Sequence, residues 1–119
     1  MITGTVVDGR ATVPVRFRLT ERPDFSIEFV IDTGFTGSLC LPPEAVAVLG
    51  LPFQYEIPAN LANNSNVFIK VYTATILWNG EAKEVNVLAA GRKPLLGTSL
   101  MSANELYVHF VEGGMVSIT

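Results

Sequence analysis

Apolar and polar positions alternate through the first third of the chain. Val13, Val15, Phe17 and Leu19 take turns with Pro14, Arg16 and Arg18, the period-two pattern of a strand with one buried and one wet face. Thr3-Gly4-Thr5-Val6-Val7 is a second β-rich run. Asp8-Gly9 between the two signals a hairpin, because both residues tolerate positive φ. Pro14 has no N–H to give to a ladder, which places it at an edge or a bulge. Glu21 to Asp24 reads as a turn. Ile27 to Ile31 is apolar on both faces, the pattern of a central strand.

The period then changes. Pro42-Pro43-Glu44-Ala45-Val46-Ala47-Val48-Leu49-Gly50 reads as a short helix, with proline in its first turn and glycine at its C-terminal cap. Strands resume at about Phe53 to Pro58 and at Val67 to Trp78. Asn63-Asn64 supplies a turn between them, since asparagine accepts the left-handed region best among non-glycine residues. Asn79-Gly80 is a second strong hairpin signal, leading into Glu84–Ala89. Thr98-Ser99-Leu100-Met101 reads as a capped helix start, followed by strands at Leu106–Val111 and Met115–Ile118 about a Gly113-Gly114 turn. The pattern is that of an all-β chain with one or two short helices and no internal repeat.

Composition narrows the classes. A length of 119 residues predicts a single domain over 1–119, and 49 % apolar with 16 % charged residues predicts a compact globule. The net charge is −3, and Arg16, Arg18 and Arg22 are interleaved with Glu21, Asp24 and Glu28, so there is no basic footprint for nucleic acid. A single cysteine, Cys40, excludes an internal disulfide, and a single histidine, His109, excludes a His-rich metal site. Cys40 lies in the apolar Leu39-Cys40-Leu41 and reads as a small buried hydrophobe. His109 reads as a strand surface residue, and nothing in the sequence brings the two together as a catalytic pair. No charged leader with an apolar core begins the sequence and no apolar run approaches a membrane span, so the expectation is a soluble, cytoplasmic protein with no membrane partner. Asn63-Asn64-Ser65 matches a glycosylation acceptor, but in that setting it reads as a turn.

Candidate chemistry is concentrated in two short stretches. Phe29-Val30-Ile31-Asp32-Thr33-Gly34 carries one carboxylate out of an apolar run into a tight turn. Leu95-Leu96-Gly97 follows downstream, an apolar pair ending in glycine just before the Thr98 segment. Together they resemble the retropepsin-like aspartic proteases, and the resemblance is closest to the small single-domain prokaryotic members of clan AA. Asp32-Thr33-Gly34-Phe35-Thr36-Gly37, Leu41-Pro42, Trp78-Asn79-Gly80 and Leu95-Leu96-Gly97 carry it over nearly the whole chain. The resemblance implies an acid-protease barrel acting as a two-fold homodimer on an extended peptide or protein. Asp32 would be the catalytic carboxylate and Thr33 would brace the paired loop across the dyad. Gly34 would let backbone approach the carboxylates, with Leu95, Leu96 and Gly97 packed beneath the site. The hairpin Asn60, Leu61, Ala62, Asn63, Asn64, Ser65 and Asn66 would be the flap over the substrate. Two departures are visible: Phe35 is bulky where most retropepsins have a small residue, and no glycine lies between Gly50 and Gly80, where their flaps are glycine-rich.

Counting carboxylates leads the same way. Peptide hydrolysis by carboxylates needs two that share a proton, one as base toward water and one as donor to the carbonyl. The chain has three aspartates, and Asp8 and Asp24 lie in turns without the residues of a catalytic loop. One usable carboxylate per chain requires a second from a partner on a two-fold axis, where the terminal strands would contribute to the interface. The expectation is an aspartic endopeptidase with no metal or organic cofactor. A catalytically weak dimeric peptide-binding or scaffold module of the same fold is the alternative, and a monomeric β-barrel with a coincidental Asp-Thr-Gly comes third.

Overall fold

The computed structural model describes residues 1–119. β1 (Ile2–Val7) and β2 (Arg10–Arg18) are joined by Asp8-Gly9, whose φ values of 52° and 76° are the left-handed pair a tight hairpin requires. β3 (Phe25–Ile31) begins before the apolar run, at Phe25, because Phe17↔Phe25 extends its ladder with β2. β4 (Leu39–Leu41) leads into α1 (Pro43–Leu49), which ends at Gly50 with φ 65°. The Arg22 guanidinium donates to the Val48 and Leu49 carbonyls, two of the acceptors that a helix C-terminus leaves unpaired. β5 (Phe53–Asn60), β6 (Asn66–Trp78) and β7 (Glu81–Ala89) form a meander. Its second turn is the two-residue Asn79-Gly80, so β7 begins at Glu81 rather than Glu84. β8 (Leu95–Leu96), β9 (Leu106–Val108) and β10 (Met115–Ile118) complete the chain.

The strands close into a barrel. β2, β3, β8, β4, β7 and β6 are neighbours in that order, and β6 returns to β2 through Arg16↔Leu77, Phe17↔Ile76 and Arg18↔Thr75. β3 is central, between β2 and β8, and runs parallel to β8. The inward residues of β2, Val13, Val15 and Phe17, are fully buried with Phe29, Leu39, Leu41, Ile76, Val87 and Leu96. Phe17 and Phe29 stack with ring centroids 5.9 Å apart, at the separation where aromatic pairs add to area burial. No helix is long and apolar enough to cross a membrane.

Three local expectations are corrected. Pro14 is at neither an edge nor a bulge. On one side β2 pairs with β1 up to Thr12 and with β6 from Arg16, and Pro14 sits in the gap between them, where a missing donor costs nothing to that neighbour. Thr98–Met101 is a single 3₁₀ turn with no side-chain cap, because Thr98 directs its hydroxyl at the Phe35 carbonyl and Ala103, with φ 64°, turns the chain away. The strand expected over Leu106–Val111 stops at Val108, since Val111 N–H folds back on His109 O at 2.8 Å. Outside the barrel, β10 lies between β1 and β9, and β1 lies between β10 and β2. β10 is therefore flanked along its length, whereas β1 pairs with β10 along Ile2–Thr5 and with β2 only along Thr5–Val7.

Candidate active site

Asp32 is held by β3, which it follows, and by β8 beside it. It follows β3 directly, and its N–H donates to Leu96 O at 2.9 Å, continuing the parallel ladder Val30↔Leu95 and Ile31↔Leu96. Its side chain then organises the turn: Gly34 N–H donates to Asp32 Oδ1 at 2.9 Å, and Phe35 N–H donates to Asp32 O at 3.1 Å. This is an Asx turn, which aspartate forms because its short carboxylate reaches the backbone two residues on. A Cβ at Gly34 would stand 3.3 Å from that carboxylate oxygen, so glycine keeps the approach open.

The loop is locked from below by the Leu-Leu-Gly element. Gly97 N–H donates to Ser38 O (2.9 Å), Thr98 N–H to Phe35 O (2.9 Å) and Ser99 N–H to Gly37 O (3.2 Å). Any side chain at Gly97 would run into the Gly37 and Phe35 carbonyls. The Phe35 ring lies where a Cβ on Gly37 would be, 2.7 Å from its ring atoms, so the bulky residue after Asp-Thr-Gly is accommodated by glycine two positions on. Phe35 and Gly37 thereby belong to the site as structural residues. Their signal was present as Phe35-Thr36-Gly37, a second glycine just past a large ring. Leu96 is fully buried and Leu95 half-buried.

Asp32 and Thr33 open into a cleft of about 360 Å³. Arg10 and Ala11 form one wall, from the start of β2, and Leu106, Val108 and Phe110 form another. Arg10 is the only other charged side chain lining it. Thr33 is exposed. A larger depression of about 520 Å³, bounded by Met1, Trp78, Lys83 and Thr119, shares no residue with this cleft and contains neither sequence element. The other aspartates lie apart: Asp8 sits in the β1–β2 turn, where its N–H donates to the Glu112 carboxylate, and Asp24 is exposed ahead of β3.

The Asn60–Asn66 segment forms a hairpin tip but is not brought to Asp32; none of its residues lines that cleft. Leu61 N–H donates to Ser65 O (2.9 Å) and Asn64 N–H to Leu61 O (2.8 Å), with Asn64 at φ 64° in the place a glycine would take. Side chains tie the tip further. Asn60 Nδ2 donates to Asn64 and Asn66, and Asn63 Oδ1 accepts from the Ser65 hydroxyl at 2.6 Å. Ala62 is exposed between them.

The remaining reactive groups stand away from this chemistry. Cys40 is buried in β4, where burial pushes its thiol above the usual range, and its Sγ–H donates to Ala90 O. His109 is exposed just past β9. No three His, Cys, Asp or Glu side chains come together as a metal-binding group.

No protein-family model matches the chain, and no curated protein sequence matches it. Its structure is similar to the crystal structure of a retropepsin-like aspartic protease from Rickettsia conorii, with a TM-score of 0.58 and 17 % identity over 96 % of this chain and 90 % of that one. The chain has a retropepsin-like fold.

Proposed function

We propose that residues 1–119 form one catalytic domain, an aspartic endopeptidase active as a homodimer. The observation that carries this reading is the Asp32 loop: a carboxylate at the end of a central strand, held by its own Asx turn and by Leu95-Leu96-Gly97, opening into a cleft. Asp32 and the partner's Asp32 would face each other across the dyad and share one proton, because two carboxylates in contact do not both ionise. The ionised one takes a proton from the water as its oxygen attacks the peptide carbonyl. The protonated one hydrogen-bonds the carbonyl oxygen and stabilises the charge that develops there. Collapse of the tetrahedral intermediate transfers a proton to the leaving amine and releases both products. Thr33, exposed beside Asp32, would brace the partner's loop. The hairpin Asn60–Asn66 would close over an extended peptide.

The decisive test is digestion of a peptide library by the wild type beside Asp32→Asn, in mild acid. Cleavage by the wild type alone supports the reading, and cleavage by neither refutes it. One observation favours a second reading, a dimeric peptide-binding module with weak catalysis: the hairpin tip is laced by four asparagines and lies off the Asp32 cleft. Peptide binding without turnover in the same experiment would select it.

A further inference from the structure

The sheet ends in two edge strands, β5 and β9, and they are built differently. β5 carries Glu56, Pro58 and an irregularity between Phe53 and Tyr55, all devices that discourage another strand from pairing. β9 reads Leu106-Tyr107-Val108, with no proline, no charge and no bulge. Its inner side is paired with β10. Glu105 and Thr119 exchange both main-chain bonds, and His109 N–H donates to Met115 O at 2.9 Å. Alternation along an antiparallel ladder then directs the N–H and C=O groups of Leu106 and Val108 to the open side. Phe110 and Met115, 69 % and 57 % exposed, add apolar surface beside this edge.

We infer that β9 is where a second copy of this chain docks, pairing antiparallel with β9 of the partner about a two-fold axis at Tyr107. This rests on the reading that Asp32 needs the partner's Asp32. An antiparallel pair of identical strands is two-fold symmetric by construction, so the contact closes at a dimer. The register follows from the open groups and from the side chains that meet, a carboxylate opposite an imidazole that can donate to it. Leu106 exchanges both bonds with the partner's Val108, Tyr107 meets the partner's Tyr107, and Glu105 stands opposite the partner's His109. Moving the axis to Val108 would set Glu105 against the partner's Val111 and lose that complementarity. The side chains of Leu106 and Val108 line the Asp32 cleft, so an axis beside β9 brings the two clefts together. β10 is flanked on both sides within the chain, and β1 is held by β10 along Ile2–Thr5 and by β2 along Thr5–Val7.

Two variants of the full chain test this. Tyr107→Cys places thiols in a non-hydrogen-bonded antiparallel pair, whose Cα separation of roughly 4.5 Å is within disulfide range. Under mild oxidation it should give a covalent dimer, while Gln54→Cys on the other edge should not. Val108→Pro deletes an N–H that the β10 ladder does not use. It should leave circular dichroism unchanged and weaken the dimer about tenfold to a hundredfold in sedimentation. A wild-type dimer that Val108→Pro leaves intact, with Tyr107→Cys uncrosslinked, overturns this interface while leaving the protease reading in place. A wild type that stays monomeric up to the highest concentrations overturns both.

Discussion

Asp32 has one structural role and one proposed chemical role, and they can be separated. Its Oδ1 closes the turn with Gly34 N–H, and an asparagine Oδ1 can accept the same bond. Asp32→Asn should therefore keep the fold while abolishing cleavage, because an amide neither ionises nor shares the proton. Peptide turnover and thermal unfolding measured on the same sample check both halves. Gly97 lies at the opposite extreme. Replacement by alanine drives a methyl group into the Gly37 and Phe35 carbonyls, so Gly97→Ala should lower stability by roughly 1–3 kcal/mol and displace the Asp32 loop. Denaturant unfolding reads the first effect; a wild-type midpoint would refute it. Cys40 gives a third expectation. Burial holds its thiol pKa above the ordinary value, so the folded state keeps its proton to higher pH than the unfolded chain. The stability this contributes is fully present below the unfolded thiol range and is lost as pH rises through the folded value. At neutral pH alkylation of Cys40 should be slow in the native protein and fast in denaturant, which a timed thiol-reagent assay measures.

At the scale of elements, the hairpins are legible in sequence because their turns are local. Asp8-Gly9 and Asn79-Gly80 need positive φ within the turn, and α1 carries its own start and stop in Pro43 and Gly50. The central placement of β3 is legible too, since an apolar run such as Ile27–Ile31 is stable only with neighbours on both sides. What is not legible depends on distant partners. Pro14 is tolerated because β1 and β6 happen to divide one side of β2, a fact that no window around Pro14 contains. The Thr98 segment stays one 3₁₀ turn because Phe35, far away in sequence, takes its hydroxyl. The pairing of β1 with β10, and with it the open edge at β9, joins the two ends of the chain. Asp32 and Leu95-Leu96-Gly97 are readable as motifs, whereas Phe35 and Gly37 acquire their role only once the loop is closed. The β5–β6 hairpin carries a prediction at this scale. Its tip is polar and exposed, with bonds confined to residues 60–66, so its amides should exchange faster than those of the barrel and slow when an extended peptide binds. Hydrogen exchange in Ala59–Asn66 that ignores saturating peptide would remove the flap assignment.

The whole molecule is where the proposed chemistry must be assembled, because one chain supplies one carboxylate to the cleft. Activity should therefore depend on protein concentration, falling on dilution below the dimer dissociation constant as the second Asp32 is lost. Thr33→Ala should lower dimer affinity more than protomer stability, since Thr33 makes no side-chain bond within its own chain and is exposed beside Asp32. The pH profile carries the sharpest consequence. A pair of carboxylates that shares one proton is competent only between its two macroscopic titrations, so the cleavage rate should be bell-shaped, with its maximum in mild acid. At low pH both groups hold protons and no base remains to activate water. Toward neutral pH the shared proton leaves, two like charges face each other, and both the donor to the carbonyl and part of the dimer's stability are lost. Dimer affinity should thus fall on the alkaline side together with activity. In Asp32→Asn the pair at the axis no longer titrates, so its affinity should change less steeply across the same range, any dependence from the Glu105–His109 contact across β9 being common to both proteins. Sedimentation and peptide cleavage from about pH 3.5 to 8, wild type beside Asp32→Asn, compare the two directly. If the mutant dimer weakens with rising pH as steeply as the wild type, the titrating group lies elsewhere and the shared proton is the wrong account of this site.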